Sequence, residues 1–306
     1  MGLEISKSLP VMSANQLPRH RISKRPVKPW NTAGAIERLL VTGGTGFIGG
    51  AVLAELYNGP NWPRTLIMVR AANTAEARER IIKSLQRFLP HAAIDAHLLN
   101  NQIILGGLED CERLRADPRV CDVSHVVHSA AVTAFSNHPR IREINVDASL
   151  RFVGVLNECA RVERFVNVGT AWCVGMDVDK VVIEDGEQNS PTHVVPYTQS
   201  KLEFERTLRR QYPGFPMISA RPSIVIGHTQ LGTSPSGSIY WVFRSAQILG
   251  QSTCSFDERI DVVPVDWVAQ TLIHLLTKKT CGLTPITCRA GKALSPRSLR
   301  SKRRLQ

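Results

Sequence analysis

The stretch of sequence that decides the fold is residues 38–49, R-L-L-V-T-G-G-T-G-F-I-G. Its first four residues form a short apolar run that predicts a buried strand. Apolar residues then continue at helical spacing through Leu56, and N-G-P at 58–60 predicts the end of that helix. A G-x-x-G-x-x-G loop over 43–49 therefore lies between a strand and a helix.

The three glycines of this loop, Gly43, Gly46 and Gly49, suit the binding of a dinucleotide. They give a tight turn, room for the backbone to approach a pyrophosphate, and close packing of the helix on the strand. The N-terminus of the following helix presents free N–H groups and a favourable dipole to phosphates. Glycines also occur in plain turns, but the strand–loop–helix context favours dinucleotide binding.

The residue after the next strand bears on the choice of coenzyme. Residues 65–69, T-L-I-M-V, predict that strand, and Arg70 follows it. An NAD site would place Asp or Glu near this point to hold the ribose 2′-hydroxyl. Arginine suits a 2′-phosphate, which its paired N–H donors can grip, so Arg70 favours NADP over NAD. A solvated strand end is the alternative interpretation of Arg70.

The rest of the chain alternates strands and helices. Three further strands are predicted, at 103–105, 125–128 and 165–168. One helix presents four apolar residues on a single face: Ala77, Ile81, Leu85 and Phe88. Another helix is predicted around residues 146–161. Such alternation predicts an α/β fold of the Rossmann type, a doubly wound parallel sheet with helices on both faces.

A Tyr-x-x-x-Lys motif at Tyr197 and Lys201 supplies candidate chemistry. Four residues apart at the start of a predicted helix, the two side chains project from one face. An ammonium beside a phenol is expected to lower the pKa of the phenol, which makes Tyr197 a usable proton donor and acceptor. Thr170, just beyond the 165–168 strand, offers a hydroxyl to a substrate carbonyl oxygen. The motif alone is common, but here it lies where this architecture binds ligands.

Together these motifs resemble an extended short-chain dehydrogenase/reductase. The resemblance also rests on H-S-A-A at 128–131, Asn145-Val146, and the run R-P-S-I-V-I-G at 221–227. Within that superfamily, residues 66–71, the 221–227 run and D-V-V-P-V-D at 261–266 resemble the thioester reductase and fatty acyl-CoA reductase branch, the male sterility type.

The resemblance implies a set of site residues. The catalytic residues would be Thr170, Tyr197 and Lys201, and Lys201 would also hold the nicotinamide ribose. Asn145 would be structural or part of a proton relay, Ala130 would lie against the cofactor, and Pro222-Ser223 would lie beside the nicotinamide. The full predicted cofactor-binding set is Gly43, Thr45, Gly46, Phe47, Ile48, Gly49, Arg70, Ala130, Asn145, Tyr197, Lys201, Pro222 and Ser223.

The resemblance also implies an activity. NADPH would deliver hydride to the carbonyl of an acyl thioester, bound to CoA or to an acyl carrier protein, while Tyr197 protonates the oxygen that develops charge. The product would be an aldehyde, or an alcohol after a second reduction. Two alternatives stay open: a sugar-nucleotide or steroid-type epimerase or dehydrogenase of the same fold, and a non-catalytic NADP-binding regulator.

The chain departs from the family pattern at three places. Gly106-Gly107-Leu108 stands where many relatives have Gly-Asp-Leu with the acid near adenine, so adenine contacts are expected to be weaker or supplied otherwise. Gly169 stands where relatives often have Ser. Residues 284–291 resemble the family's last strand, and a short basic tail follows it. The C-terminal substrate-binding part is therefore expected to be abbreviated.

The charge of the chain divides it into a body and two tails. The 306 residues carry 38 Lys and Arg against 26 Asp and Glu, a net charge of +12. A net charge of +5 falls in residues 1–36 and +7 in 289–306, so the rest is neutral. The neutral body argues against a nucleic-acid binder. We predict a flexible basic arm at 1–36, an NAD(P)-binding Rossmann domain at 37–291 with a substrate-binding insert at about 228–261, and a basic tail at 292–306.

Cysteines, histidines and apolar runs complete the prediction. The seven cysteines form no C-x-x-C pair, which fits reduced, mostly buried thiols of a cytoplasmic protein. No apolar run approaches the ~18–20 residues that a transmembrane helix needs. His125, His128 and His138 lack the partners of a metal site and are predicted to be core or surface residues. An apolar segment at 239–249 is either a helix that lines an acyl pocket or plain core.

Overall fold

The computed structural model describes residues 36–57, 59–94, 101–175, 191–232, 244–245, 248–250, 261–277 and 286–288. The strands, in chain order, are β1 (Leu39–Thr42), β2 (Thr65–Val69), β3 (Ile103–Leu105), β4 (His125–His128), β5 (Arg164–Val168), β6 (Met217–Pro222), β7 (Ile224–Ile226), β8 (Val262–Pro264) and β9 (Ile286–Cys288). The helices are α1 (Phe47–Tyr57), α2 (Thr74–Gln86), α3 (Cys111–Ala116), α4 (Arg140–Arg142), α5 (Ser149–Cys159), α6 (Pro196–Gln211) and α7 (Val265–Thr277). A π-helical turn, Glu143–Ala148, joins α4 to α5.

The main sheet has the strand order β3-β2-β1-β4-β5-β6-β9, and β7 and β8 pair separately. All the strand pairs are parallel. The chain builds outward from β1 to β3 and then crosses to β4 on the other side of β1. Ligands of open parallel sheets bind beyond the carboxyl ends of the strands at such a reversal. The predicted doubly wound Rossmann fold is confirmed, and it places a crevice between the ends of β1 and β4.

Two apolar cores cover the two faces of the sheet. Val41 faces the core formed with α1, α2 and α7, whereas its neighbour Leu40 faces the core formed with α3, α5 and α6. All four residues of β1 are buried. A strand covered by helices on both faces reads as a continuous apolar run, which is why this strand was visible in the sequence.

A row of buried polar residues crosses the sheet near the carboxyl ends of four strands. Thr42 is in register with His128, His128 with Asn167, and Asn167 with Ser219. Thr42 Oγ1 accepts from Ala130 N–H and so donates to His128 Nδ1 at 3.0 Å. On the other side His128 Nε2–H donates to Ser149 Oγ at 3.3 Å, because that hydroxyl donates to the Ile144 carbonyl. Burial lowers the pKa of His128 to about 3, so the ring is neutral.

Three sequence predictions need correction. Helix α2 ends at Gln86, so Phe88 lies beyond it, although Phe88 is buried and packs against Phe47 at 6.0 Å between ring centroids. The helix predicted around 146–161 begins as an α-helix only at Ser149, after the π-helical turn. Four cysteines, Cys111, Cys121, Cys159 and Cys173, have described side chains and are free, and of these Cys173 alone is buried, so the prediction of mostly buried thiols is wrong for these four.

Several predicted segments lie outside the described residues. They include the tail at 292–306, the arm at 1–36 apart from Ile36, and most of the 228–261 insert. Most of the apolar segment at 239–249 is also outside, and its described residues Ile248 and Leu249 are exposed. Within the described ranges, no helix is long and apolar enough to cross a membrane. The same ranges contain no group of His, Cys, Asp and Glu side chains that could hold a metal ion.

Candidate active site

A cavity of about 970 Å³ opens beyond the carboxyl ends of the strands, at the crossover between β1 and β4. The loops that follow six strands, β1 to β6, contribute to its wall. One end is lined by the glycine loop and Arg70, and the other by Thr170, Tyr197 and Lys201. The structure therefore brings the predicted cofactor loop and the predicted catalytic residues into one cavity.

The glycine loop forms a cradle made almost entirely of main chain. Gly43 has a φ of +73°, and a Cβ there would lie 2.6 Å from Ala130 N. A Cβ on Gly49 would collide with the Gly43 carbonyl oxygen and would lie 2.7 Å from Ser129 Oγ. Gly46 N–H donates to the Gly43 carbonyl at 2.9 Å, which closes the turn. Helix α1 begins directly afterwards at Phe47, and its first three residues line the cavity, so its N-terminus lies where an anion site requires it.

A second arginine accompanies Arg70 at this end of the cavity. Arg80, from helix α2, lines the cavity and donates from Nη1 to the Arg70 carbonyl. Arg80 could not be selected from the sequence, because ten residues separate it from Arg70 and no motif marks it. Two guanidinium groups near the end of β2 are a suitable environment for an anion such as a 2′-phosphate.

The departure at Gly107 has a structural counterpart in Glu109. A Cβ on Gly107 would lie 2.8 Å from Glu109 Cδ and 2.9 Å from Arg70 Cδ. The Glu109 carboxylate thus occupies the space beside Gly107, and it lines the cavity while accepting from Arg140 at 3.1 Å. An acid is therefore present next to the cavity, supplied two residues later than the family pattern puts it.

Tyr197 and Lys201 lie on the first turns of α6, at the opposite end of the cavity. Lys201 Nζ donates to the Val168 carbonyl at 2.8 Å and lies 5.9 Å from the centroid of the Tyr197 ring. Burial raises the pKa of Tyr197 to about 12 and lowers the pKa of Lys201 to about 8. The expectation that Lys201 lowers the pKa of Tyr197 is wrong here, because the ammonium is directed to a carbonyl and the partly buried phenol is desolvated.

Thr170 lies on the cavity wall, two residues beyond the end of β5. Its hydroxyl accepts from Trp172 N–H at 3.3 Å, which caps a 3₁₀ turn at Ala171–Val174. A hydroxyl whose oxygen accepts a hydrogen bond from the main chain can still donate its own hydrogen to a ligand. Thr170 is 8% exposed, so the hydroxyl is held in a fixed place at the cavity surface.

Asn145 lies behind the cavity rather than on its surface. The cavity lining, as far as the described residues define it, includes Ala130, Pro222 and Ser223 but not Asn145. Asn145 Oδ1 accepts from Val132 N–H at 2.7 Å, and Nδ2 donates to the Val132 carbonyl and to Ser200 Oγ, each at 3.0 Å. This side chain therefore joins the loop after β4 to helix α6, which fits the structural role that the resemblance allowed for it.

Exposed apolar side chains surround the mouth of the cavity near Tyr197. Phe135, Trp172 and Val194 line the cavity and are all largely exposed. The ring of Phe135 lies 6.2 Å from that of Tyr197, centroid to centroid. None of the three follows a periodic pattern in the sequence, since each comes from a loop, and the sequence analysis missed them. Exposed apolar patches in such a place commonly mark binding surfaces.

Comparison with known proteins identifies the family. Residues 41–272 match the family described as Male sterility protein. The chain belongs to that family. The match confirms the resemblance to the male sterility branch of NAD(P)-binding reductases that the motifs had indicated, and it covers both the glycine cradle and the Tyr197/Lys201 end of the cavity.

Relatives of this Male sterility family member occur in large biosynthetic proteins. A non-canonical nonribosomal peptide synthetase of Aspergillus hancockii is 25% identical over 271 residues, which cover 82% of this chain and 26% of that protein. An aldehyde reductase of Aspergillus flavus is 25% identical over 255 residues, or 78% of this chain and 24% of that protein. The chain thus spans about a quarter of the length of these curated relatives.

A solved structure shares the fold of this family member. The terminal R domain from the myxalamid PKS-NRPS biosynthetic pathway superposes with a TM-score of 0.72 at 22% sequence identity. The superposition covers 89% of this chain and 70% of the R domain. At that level of identity the likeness shows the fold, and the chemistry has to be argued from the cavity itself.

Proposed function

We propose that the chain is an NADPH-dependent reductase that converts an acyl thioester, bound to CoA or to a carrier protein, into an aldehyde or an alcohol. One observation carries the proposal: Thr170, Tyr197 and Lys201 meet at one end of a cavity whose other end is a glycine cradle. A dinucleotide long enough to span the two ends would present its reactive ring to these three side chains.

The residues of the cavity fit NADPH. A Cβ at Gly43 would collide with Ser129 and Ala130, and one at Gly49 with the Gly43 carbonyl, so the tight turn of this loop requires glycine, as a dinucleotide-binding loop does. Ser223 Oγ is buried on the cavity wall and has no hydrogen-bond partner among the described residues, so it is available to a polar group of the nicotinamide. Arg70 would hold the 2′-phosphate with Arg80 beside it, and Lys201 would hold the ribose.

When bound, NADPH supplies the hydride that reduces the carbonyl carbon of the substrate. Thr170 donates a hydrogen bond to the carbonyl oxygen and fixes it next to Tyr197. Tyr197 then gives its proton to that oxygen as charge develops, which leaves a hemithioacetal. Its C–S bond then breaks, the thiol of CoA or of the carrier protein leaves with the hydroxyl proton, and the aldehyde remains. A pKa of about 12 keeps the Tyr197 phenol protonated at neutral pH, the form that reduction requires. The Lys201 ammonium, which donates to the Val168 carbonyl, would hold the ribose and so fix the nicotinamide beside Tyr197.

The mouth of the cavity supports an acyl substrate. Phe135, Trp172 and Val194 offer apolar surface next to Tyr197, where the chain attached to a reacting carbonyl would lie. A thioester on a carrier protein would reach the same place from outside. A cytoplasmic location belongs to this proposal, since Cys111, Cys121, Cys159 and Cys173 are free thiols.

A coenzyme-oxidation screen tests the proposal. Purified protein is given NADPH or NADH with thioesters, aldehydes and nucleotide sugars, and the loss of reduced coenzyme is followed by absorbance. We expect NADPH oxidation with long-chain acyl-CoA. Tyr197→Phe should lower kcat by roughly 10²- to 10⁴-fold with NADPH binding intact. Tyr212→Phe, at the end of the same helix and outside the cavity lining, is the matched control and should leave kcat unchanged.

Two outcomes would contradict the proposal. Tight NADPH binding without turnover of any thioester or aldehyde would indicate a non-catalytic regulator. Turnover of a nucleotide sugar with a preference for NAD would indicate an epimerase or dehydrogenase of the same fold.

A further inference from the structure

A buried ion pair lies directly behind the candidate catalytic residues. Glu205 follows Lys201 by four residues on α6, as Lys201 follows Tyr197, so the three side chains share one face of the helix. Glu205 has no exposed surface, and Arg221 in β6 is 7% exposed. Arg221 Nη2 donates to Glu205 Oε2 at 2.6 Å, and Arg221 Nε donates to the same oxygen at 3.2 Å.

We propose that Glu205 is a positioning residue of the reductase, which holds Lys201 and the turn bearing Thr170 in place through its own attachment to Arg221. The inference rests on the proposed function, because it assigns a part in that reaction. Stability alone does not account for the pair, since apolar residues of similar volume commonly stabilise a core as well as a buried ion pair does.

The turn that precedes Thr170 is shaped around the Glu205 carboxylate. A Cβ on Gly169 would lie 2.7 Å from Glu205 Oε1, closer than real Cβ contacts come. Glycine at this position therefore leaves the carboxylate room to lie under the turn. The Gly169 N–H donates to the Ala220 carbonyl at 2.8 Å, so the turn is also held to β6. The departure from the family pattern at Gly169 and the placement of Glu205 form one steric arrangement.

The partner of Glu205 connects it to the other wall of the cavity. Arg221 immediately precedes Pro222 and Ser223, which line the cavity where the nicotinamide would lie. The ion pair thus joins the helix that carries Tyr197 and Lys201 to the end of β6. A substitution of Glu205 should therefore alter the positions of residues on both walls of the cavity.

The charge of Glu205 also acts on Lys201. Tyr197 and Glu205 face Lys201 from α6, His128 faces it from β4, and Cys173 and Arg221 lie around the Glu205 carboxylate. Burial lowers the pKa of Lys201 to about 8, and the Glu205 carboxylate opposes that shift. His128 is neutral and burial raises the pKa of Cys173 to about 12, so neither adds a charge near neutral pH. The ammonium form of Lys201 therefore depends on the Glu205 carboxylate.

The substitution Glu205→Gln tests this role, because it keeps the side-chain shape and removes the charge. Lys201 then loses the carboxylate that raises its pKa, and its ammonium form disappears at lower pH. NADPH affinity is measured by fluorescence titration across neutral and mildly alkaline pH. The pH at which half of the Lys201-dependent affinity is lost, the midpoint, should be roughly 1 unit lower than in the unsubstituted protein. An unmoved midpoint, whatever the yield of folded protein, would overturn the proposal.

Glu203→Gln is the matched control. Glu203 lies on the same helix and pairs with Arg142 at 2.8 Å, but that pair is at the surface. We expect its pH midpoint and kcat to match the unsubstituted protein, and Glu205→Asp, which keeps the charge, should keep the midpoint as well. A shift of the same size in Glu203→Gln would also contradict the proposal, because a distant surface charge would then act equally.

A second pair of variants tests the steric part, even where Glu205→Gln folds poorly. Gly169→Ala places a methyl group against Glu205 Oε1 and should lower kcat. Adding Glu205→Asp to Gly169→Ala shortens the acid and should restore part of that kcat. If the fold-losses in kcat of Gly169→Ala and Glu205→Asp simply multiply in the double variant, the steric coupling is overturned.

The binding measurement separates this inference from the proposed function. It needs NADPH but no thioester, so a shifted midpoint in a protein that reduces no thioester would contradict the proposed reaction and leave the action of Glu205 on Lys201 standing. Thioester reduction with an unmoved midpoint would support the proposed reaction and contradict the action of Glu205 on Lys201.

Discussion

The two ends of the cavity are built by different means. At the glycine end the wall is main chain, with Gly43 and Gly49 packed so closely that neither has room for a Cβ. At the catalytic end the wall is made of side chains, and the ionisable groups Tyr197 and Lys201 have pKa values moved by desolvation. In the proposed function, the first end would bind the coenzyme through shape and N–H groups, whereas the second would act through charge held away from water. We therefore expect the first to tolerate no added atoms and the second to respond mainly to altered polarity.

The largest effect is expected at the glycine end. Gly49→Ala would place a methyl group against the Gly43 carbonyl oxygen and Ser129 Oγ, so the loop and α1 must move apart. We expect no saturable NADPH binding by fluorescence titration and a loss of unfolding free energy of about 1–3 kcal/mol. Gly214→Ala is the control, since nothing lies within 4 Å of a Cβ there. Equal NADPH affinity in Gly49→Ala and Gly214→Ala would contradict the proposal that the glycine loop binds the coenzyme.

The next effect is expected at the catalytic end. Thr170→Val keeps the shape of the side chain and removes the hydroxyl that would donate to the substrate oxygen. We expect kcat to fall by roughly a hundredfold, the size seen when one oxyanion donor is lost, with the NADPH dissociation constant unchanged. Steady-state kinetics beside a direct binding titration measures both. If Thr170→Val lowers NADPH affinity and leaves kcat unchanged, coenzyme binding and catalysis are not divided between the two ends of the cavity.

Arg70→Ala should have a smaller effect, confined to coenzyme choice. Removing the guanidinium weakens the grip on a 2′-phosphate, and we expect the preference for NADPH over NADH to fall roughly tenfold. Arg80 should retain part of the preference, because it lines the same end of the cavity. Arg113→Ala, an exposed arginine on α3 outside the cavity lining, is the control. An unchanged preference in Arg70→Ala would show that the arginine is only a solvated strand end.

The smallest effect is expected from pH alone. Lys201 has a pKa lowered to about 8, so its ammonium form is lost as pH rises through that value. About half of the NADPH affinity that depends on Lys201 should be gone at pH 8. Lys201→Met should bind NADPH more weakly and show no such decline in fluorescence titrations. A decline that persists in Lys201→Met would assign the titration to another group.

Local features of the fold and site were predictable from the sequence. The strands at 65–69, 103–105 and 125–128 agree with the structure residue for residue, because buried parallel strands are short apolar runs. The glycine loop was equally visible, since its glycines and helix are consecutive in the chain. Features that need distant segments were not predictable. Arg80 and Glu109 reach the cavity from separate elements, and no spacing rule connects them to Arg70.

The error at Tyr197 has the same origin. A four-residue spacing predicts that two side chains share a helix face, and α6 confirms this. It does not predict what else surrounds them. The Val168 carbonyl, brought in by β5, takes the hydrogen bond of Lys201, and the packing around the phenol raises its pKa. The depth of burial is a property of the assembled sheet and helices, which a local motif does not encode.

The polar row across the sheet has a consequence for how the strands align during folding. In a sheet of apolar strands, many offsets between neighbours bury similar apolar area. A slip of β4 by two residues would keep each side chain on its face but would separate Thr42 from His128 and leave both buried without their partners. Unpaired buried polar groups cost about 1–3 kcal/mol each. The Thr42–His128 and Asn167–Ser219 hydrogen bonds thus favour the native alignment of β1 with β4 and of β5 with β6, and that alignment sets where the cavity forms.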